Sequence, residues 1–120
     1  MPALIDVIDD DDAVRDSIRA LLESYGYTVR EHSSAEAFLS LSDTKADCLL
    51  VDQHMPGMTG LELLGHMRER GDQTPALMIT GRSDTSIEPR AAAKGAKVLH
   101  KPVNEDQLVV LIEVACRSRA

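Results

Sequence analysis

The sequence predicts an α/β fold in which helices cover both faces of a parallel β-sheet. Five short apolar segments alternate with five segments of helical periodicity, and glycine ends several of the helical segments. Such alternation is typical of parallel strands joined by right-handed crossovers. The chain has 120 residues, of which 43% are hydrophobic and 28% charged. We therefore expect one domain over residues 1–120 with its own core.

The first strand and helix are predicted within residues 4–26. Leu4–Ile8 is a short apolar run rich in β-branched residues, which favours a strand. Apolar residues then recur at helical spacing: Val14, Ile18, Leu21, Leu22 and Tyr25. Asp11 or Asp12 is available as the N-cap of this helix, and Gly26 can end it.

The second and third pairs of elements follow in the same order. Thr28–Glu31 is a weaker strand, and Ser33–Leu39 opens a second helix with Ser34 as a cap, although the capping-box spacing is not met. The third strand is predicted at Asp47–Val51. The third helix runs from about Gly60 to Arg70 and ends near Gly71.

The last two pairs complete the alternation. Ala76–Thr80 is a fourth apolar strand, and Pro89–Lys94 makes a short fourth helix with Gly95 as its stop. Ala96–Leu99 is the fifth strand. Residues 104–117 form a final amphipathic helix whose apolar positions are Leu108, Leu111, Ile112 and Ala115.

The loop after the third strand has a prescribed shape. Asp52 stands where the apolar run gives way to Gln53-His54-Met55-Pro56-Gly57-Met58-Thr59-Gly60. Proline removes a backbone donor, and the two glycines permit tight turning. Open α/β sheets bind ligands outside the carboxyl ends of their strands. Asp52 is therefore the first candidate for chemistry.

Polar residues follow four of the predicted strands: Asp9 and Asp10, Asp52, Thr80, and Lys101. In a parallel sheet these strand ends lie at the same edge, so the side chains are expected to meet. Three carboxylates in one crevice raise one another's pKa unless a cation relieves them. A sparse set of oxygen ligands that leaves room for water suits Mg²⁺ better than Ca²⁺.

Such a site has the parts needed for phosphoryl transfer. A carboxylate such as Asp52 can attack phosphorus and form an acyl phosphate. Catalysis of this kind depends mainly on positioning and on charge neutralisation, to which the Lys101 ammonium and the Thr80 hydroxyl can contribute.

Composition and charge restrict the alternatives. The net charge of −7 and the sequence pI near 4.9 argue against direct nucleic-acid binding by this domain, which needs a basic surface. The apolar runs are too short for a membrane span, and the N-terminus does not look like a signal peptide. We expect a soluble cytoplasmic protein. Cys48 and Cys116 are interpreted as buried thiols, because they show no metal-binding or CxxC spacing.

These residues together resemble the receiver domain of two-component response regulators over essentially the whole chain. The resemblance rests on the Asp9-Asp10 pair, Asp52 in DQHMPGMTG, Thr80 in ITG, and Lys101 in KP. Residues 34–39 (SAEAFL) are similar to the FixJ-type branch, whose members usually join the receiver to a helix-turn-helix DNA-binding domain. The resemblance implies a flavodoxin-like (βα)5 three-layer sandwich with a five-stranded parallel sheet.

The resemblance also implies roles and partners. Asp52 would be phosphorylated by a sensor histidine kinase. Mg²⁺ would be held by Asp10, Asp52 and the backbone carbonyl of His54, with Asp9 contributing directly or through water. The Lys101–Pro102 peptide would be cis, which costs little before proline. A homodimer would use the face formed by helix 4, strand 5 and helix 5, and DNA would be reached through an output domain beyond residue 120.

Two departures from the family pattern fall on that output face. Val98 stands three residues before the lysine, where receivers usually carry Tyr or Phe, so it cannot act as an aromatic switch. Pro89 is tolerated only in the first turn of a helix, so the fourth helix should start late and be short. We expect an altered output route and an intact phosphorylation site.

The residues that flank the site also have expected roles. His54 and Arg82, each two residues after a site residue, would line the path of water to the acyl phosphate. The Arg82 guanidinium, which is always charged, would cover the phosphoryl oxygens and slow hydrolysis. Asp11 and Asp12 are interpreted as helix caps. The remaining histidines, His32, His66 and His100, are expected at the surface.

Two other functions stay open at this stage. A stand-alone receiver could act through protein contact with non-aromatic switching. An Mg²⁺-dependent aspartyl phosphatase of the haloacid-dehalogenase type also uses an aspartyl nucleophile, but it would need a second acid two residues later, where this chain has His54. We therefore expect no turnover of an external substrate, only the domain's own phosphorylation and dephosphorylation.

Overall fold

The computed structural model describes residues 2–41, 46–81 and 86–119. The strands are β1 (Leu4–Ile8), β2 (Thr28–His32), β3 (Cys48–Asp52), β4 (Ala76–Thr80) and β5 (Ala96–His100). The helices are α1 (Asp12–Ser24), α2 (Ala35–Leu39), α3 (Gly60–Glu69), α4 (Ile87–Ala93) and α5 (Glu105–Arg119). None of the helices in this part of the chain combines the length and the apolar character that crossing a bilayer requires.

The five strands form one parallel sheet in the order β2-β1-β3-β4-β5. This is the flavodoxin-like order, in which the chain moves outward from β1 first to one side and then to the other. The reversal places the carboxyl ends of β1 and β3 side by side at the centre of the sheet. The predicted (βα)5 fold is confirmed, and its switch point lies where the site was predicted.

Side chains of the central strand alternate between two cores. Leu49 and Val51 pack with α2, α3 and α4, whereas Cys48 and Leu50 pack with α1 and α5. This follows from the two-residue period of a strand. All five residues of β3 are buried, and burying each large aliphatic side chain contributes roughly 1.5–3 kcal/mol. β3 is therefore a rigid base for the loop that begins at Asp52.

Helix caps explain where several helices begin. The carboxylate of Asp11 accepts hydrogen bonds from the backbone N–H groups of Ala13 and Val14, so the predicted cap of α1 is confirmed. At α2 the Ser34 hydroxyl accepts a hydrogen bond from the third residue along, as predicted for this cap. At α3 the side chains of Thr59 and Glu62 form a reciprocal capping box, which fixes the end of the loop after Asp52.

The fourth helix begins earlier than the predicted Pro89–Lys94. Ile87 is its first residue and Pro89 its third. The first-turn N–H groups of a helix have no intrahelical partner, so a proline there sacrifices no hydrogen bond. The helix is short, seven residues, as expected. The start was misplaced because the proline was taken as the first helical residue, and the predicted last residue, Lys94, is the C-cap.

A buried ion pair joins β1 to β2, and one residue in it contradicts the sequence analysis. His32 is only 8% exposed, and its Nε2 lies 2.8 Å from Asp6 Oδ1. The prediction of a surface histidine is therefore wrong for His32. Arg30, opposite Asp6 in the strand register, donates to both carboxylate oxygens at 2.7 and 2.9 Å. Burial disfavours the Asp6 carboxylate, but the hydrogen bonds from His32 and Arg30 outweigh it and lower the Asp6 pKa.

The two cysteines are free thiols in different surroundings. Cys48 is fully buried in β3, whereas Cys116 on α5 is half-buried. Burial raises the pKa of the Cys48 thiol to about 12. The prediction of a buried thiol is confirmed for Cys48, while Cys116 is only partly covered.

Candidate functional site

Three carboxylates meet at the carboxyl edge of the sheet. Asp9 and Asp10 follow β1, and Asp52 is the last residue of the neighbouring β3. One carboxylate oxygen from each lies within 4.8 Å of the others. Asp9 and Asp52 are each 3% exposed, whereas Asp10 faces solvent. The predicted convergence of acids from the first and third strands is confirmed.

Lys101 reaches this cluster from the far side of β4. Its Nζ lies 3.1 Å from Asp52 Oδ1. The residue directly follows β5, and its side chain passes over Gly81, where an added Cβ would lie 3.7 Å from Lys101 Cδ. The Lys101–Pro102 peptide is cis, as expected. The chain therefore places an ammonium group against the most central carboxylate.

The two buried acids are harder to ionise than ordinary carboxyls. Burial raises the pKa of Asp52, and the Lys101 ammonium offsets only part of this rise. Burial also raises the pKa of Asp9, with the Asp52 charge adding to it and the backbone N–H of Asp11 opposing it. Both rises in pKa therefore come mainly from burial, and repulsion by neighbouring acids adds a smaller part.

The donor set fits a small, hard divalent cation. Asp52 Oδ1 is buried and accepts no hydrogen bond within the described part of the chain, although Lys101 Nζ provides a nearby charge. Carboxylate oxygens are ligands that Mg²⁺ prefers, and the exposed Asp10 leaves one side open to water. Asp9, Asp10 and Asp52 together form an acidic pocket that could hold such an ion.

Thr80 lies at the next strand end and contacts His54. Thr80 is the last residue of β4 and is completely buried. Its Oγ1 lies 3.1 Å from Nε2 of His54, an exposed residue on the loop after β3. Sequence reasoning singled out both residues but did not anticipate this hydrogen bond. Their strands are neighbours, with Asp52 opposite Ile79 in the register.

The loop after Asp52 is as constrained as its composition predicted. Gly57 has φ of +79°, in the left-handed region that favours glycine. Gly60 approaches the backbone closely, because an added Cβ would lie 2.8 Å from the carbonyl oxygen of Asp52. The side chain of Gln53 accepts a hydrogen bond from the N–H of Leu61 at 2.8 Å. These contacts hold the first turn of α3 directly behind the site.

One cation near the site was missed from the sequence. Arg15 on α1 donates to the carbonyl oxygen of Asp9 at 2.6 Å and pairs with Asp12 and Glu31 at 2.6 and 3.2 Å. The spacing of Asp12 and Arg15 on one helical face was the available signal. Arg82 lies outside the described residues.

An apolar groove opens beside the site. It has a volume of about 400 Å³ and is lined by Ala13, Val14, Ser17, Ile18, Ile79, Lys101, Pro102 and Val103. The groove runs between the start of α1 and the segment that joins β5 to α5. A molecule that approached Asp52 from this side would contact the apolar lining of the groove.

Comparisons with known proteins point to one family. Residues 5–113 match the family model described as the response regulator receiver domain. The chain is 41% identical over 113 residues to the transcriptional regulatory protein FixJ of Bradyrhizobium diazoefficiens, covering 92% of the chain and 55% of the relative. FixJ of Azorhizobium caulinodans is 38% identical over 113 residues, with coverages of 92% and 54%. The solved structure of FixJ-N superimposes with a TM-score of 0.90 at 32% identity and covers 98% of this chain and 95% of that one.

Proposed function

Because the chain belongs to the response regulator receiver domain family, we propose that it takes part in two-component signalling by accepting a phosphoryl group on Asp52. The donor is a sensor histidine kinase, and the reaction requires Mg²⁺. The observation that carries the proposal is the meeting of Asp9, Asp10 and Asp52 with Lys101 at one sheet edge. A buried carboxylate next to an ammonium group and two further acids has few structural uses.

The residues of the chain divide the work as follows. An Asp52 carboxylate oxygen forms a bond to phosphorus while the bond from phosphorus to the kinase histidine nitrogen breaks, and that nitrogen keeps the electron pair. Lys101, 3.1 Å from Asp52 Oδ1, holds the carboxylate in place and neutralises charge on the incoming group. The Thr80 hydroxyl supplies a hydrogen bond to a phosphoryl oxygen once it turns toward Asp52.

The ligands proposed for Mg²⁺ are Asp10, Asp52 and the backbone carbonyl of His54, with Asp9 acting directly or through water. When bound, the ion screens the charge between the carboxylates and the phosphoryl oxygens. The burial of Asp9 and Asp52 supports this assignment, because burial raises the pKa of both carboxyls and a cation bound between them would favour their charged forms.

Intact mass spectrometry after incubation with Mg²⁺ and acetyl phosphate or phosphoramidate tests the proposal. We expect one phosphoryl adduct on the wild-type chain and none on Asp52→Asn. Asp106→Asn, which changes an exposed acid at the start of α5, is the matched control and should keep the adduct. Absence of the wild-type adduct, or its retention in Asp52→Asn, would contradict the proposal.

The apolar groove beside Lys101 supports this side of the site as the surface on which the kinase docks. Val14 and Ile18 are one turn apart on α1, and Pro102 and Val103 face them across the groove. A partner that covered these side chains would bring its phosphohistidine toward Asp52. A donor as small as acetyl phosphate has no need of the groove, so Ile18→Lys should leave its transfer rate unchanged.

The chain spans about half the length of the curated relatives it matches. We propose that phosphorylation controls transcription through an attached or partner output domain that contacts DNA. The proposed homodimer face is formed by α4, β5 and α5. Val110 and Val114, one turn apart on α5 and 55% and 43% exposed, give α5 an apolar surface that could be covered by such an interface.

A stand-alone receiver that acts through protein contact is the second candidate. Val98 favours it, because this half-buried side chain packs against the core on the α4 side and carries no ring to rotate. Light scattering with and without a phosphoryl mimic distinguishes the two: a monomer in both states argues for contact with another protein. The hypothesis of a haloacid-dehalogenase type phosphatase is disfavoured, because His54 occupies the position where that enzyme needs an acid.

A further inference from the structure

We propose that the imidazole of His54 is a positioning residue that holds the Thr80 hydroxyl in the resting state and releases it on phosphorylation. The inference rests on the proposed function of Asp52. It gives His54 the switching role that an aromatic residue has in other receivers, because this chain has Val98 at that position.

The first step of the argument is the burial of Thr80. Its side chain is 0% exposed, and Nε2 of His54 is the hydrogen-bond partner of its hydroxyl among the described residues. A buried hydroxyl proton without an acceptor would be costly. We therefore assign the Thr80 hydroxyl as the donor to His54 Nε2, which requires the tautomer with the imidazole proton on Nδ1.

The second step is competition for a single proton. A threonine hydroxyl has one hydrogen to donate. While that hydrogen is donated to His54 Nε2, it cannot be donated to an oxygen of a phosphoryl group on Asp52. Phosphorylation therefore exchanges one hydrogen bond of Thr80 for another, and the exchange opposes phosphorylation by the strength of the bond that is lost.

The third step is what the exchange releases. His54 is an exposed residue on the loop after β3, whereas Thr80 is buried. Once the hydroxyl turns to the phosphoryl group, the imidazole loses its partner and is free at the surface beside the end of β4. Phosphorylation of Asp52 therefore changes the hydrogen bonding of the His54 imidazole at the surface.

The binding of beryllium trifluoride with Mg²⁺, which mimics the phosphoryl group, tests this exchange. His54→Leu removes both ring nitrogens and keeps the backbone carbonyl. We expect it to bind the mimic roughly two- to ten-fold more tightly than wild type, the factor associated with one net hydrogen bond. In the Thr80→Val background, which has no hydroxyl to hold, His54→Leu should change the affinity little.

Nitrogen-15 NMR of the imidazole gives a second readout that a merely structural role would not move. We expect His54 Nε2 to resonate as a hydrogen-bond acceptor in the resting wild type. Thr80→Val should shift this resonance in the same direction as beryllium trifluoride does in wild type. In Thr80→Val itself, the mimic should cause a smaller shift.

The outcomes separate the two proposals. A wild-type chain that neither binds the mimic nor forms the Asp52 adduct refutes the proposed function. If the wild type binds the mimic but His54→Leu binds it equally or more weakly, the inference that His54 holds the Thr80 hydroxyl is refuted. The proposed function of Asp52 is then unaffected. An Nε2–H tautomer of His54 in the resting state would also refute the inference about His54. The ring would then donate to the Thr80 oxygen, and the Thr80 hydroxyl proton would remain available.

Discussion

Replacing Asp9 by asparagine is expected to stabilise the chain in the absence of divalent cations. One carboxylate oxygen of Asp9 lies within 4.8 Å of one of Asp52, and at an effective dielectric constant of about 20 two unit charges at about this separation repel by about 3.5 kcal/mol. Lys101 and solvent offset part of this repulsion. We expect a gain of about 1–3 kcal/mol in the free energy of unfolding at neutral pH, once that offset is included.

The substitution is isosteric and keeps the local hydrogen bond. Asp9 Oδ1 accepts from the backbone N–H of Asp11 at 2.8 Å, and the amide oxygen of asparagine can accept the same bond. Asp11→Asn is the matched control. It removes one negative charge a short distance away, retains a good N-cap, and lies outside the carboxylate cluster.

The sign of the pH dependence follows from the raised pKa of Asp9. The folded state holds the Asp9 proton more tightly than the unfolded state does, so wild-type stability falls as pH rises from the unfolded pKa through the folded one. Above this window the repulsion is fully present. The gain in free energy of unfolding from Asp9→Asn should therefore be largest at neutral pH. It should shrink as the pH is lowered toward the pKa of an ordinary carboxyl.

Urea unfolding followed by far-UV circular dichroism measures these differences, with a chelator present to remove divalent ions. The reasoning would be refuted if Asp9→Asn destabilised the chain at neutral pH, or if its gain were the same at mildly acidic pH. A gain of equal size in Asp11→Asn would show that general charge reduction, not the cluster, was responsible.

Three further outcomes are expected. Mg²⁺ should raise the melting temperature of wild type at neutral pH, because an ion that binds only the folded state stabilises it; Asp52→Asn should respond less, and an equal response would place the ion elsewhere. Thr59→Ala should lose roughly 0.5–2 kcal/mol of stability in urea unfolding, since it removes the hydroxyl that caps α3; no loss would show that Glu62 alone suffices. A thiol reagent should modify the half-buried Cys116 before Cys48, whose thiol is buried with a pKa raised to about 12; fast reaction of both in the folded chain would contradict the buried placement.

The sheet and the carboxylate cluster could be predicted because both follow from periodicity along the chain. A buried strand reads as a continuous apolar run, and β3 is such a run ending at Asp52. Parallel strands share one carboxyl edge, so residues that follow different strands are brought together without knowledge of any loop. Asp9, Asp10 and Lys101 could therefore be placed beside Asp52 from position alone.

The errors arose where a side chain's partner lies on another element. His32 is covered because Asp6, on the neighbouring strand, needs hydrogen bonds for a buried carboxylate, and nothing local to His32 reveals this. The contact between His54 and Thr80 likewise depends on how a loop folds over a strand end. The alternation of strands and helices can be inferred from a sequence, but the direction in which a ring points cannot.

The two kinds of buried acid in this sheet distinguish structure from function. Asp6 is as deeply buried as Asp52, yet the pKa of Asp6 is lowered, because Arg30 and His32 donate hydrogen bonds to its carboxylate. The pKa of Asp52 is raised, because burial outweighs the single ammonium group of Lys101 and the charge of Asp10 adds to the rise. Where the chain itself completes the partners of a buried charge, the charge serves the fold. Where a buried acid at a strand end has a single cationic partner among the described residues, as Asp52 has in Lys101, we propose that a cation from solution completes the set, which supports Asp52 as the site of the chemistry.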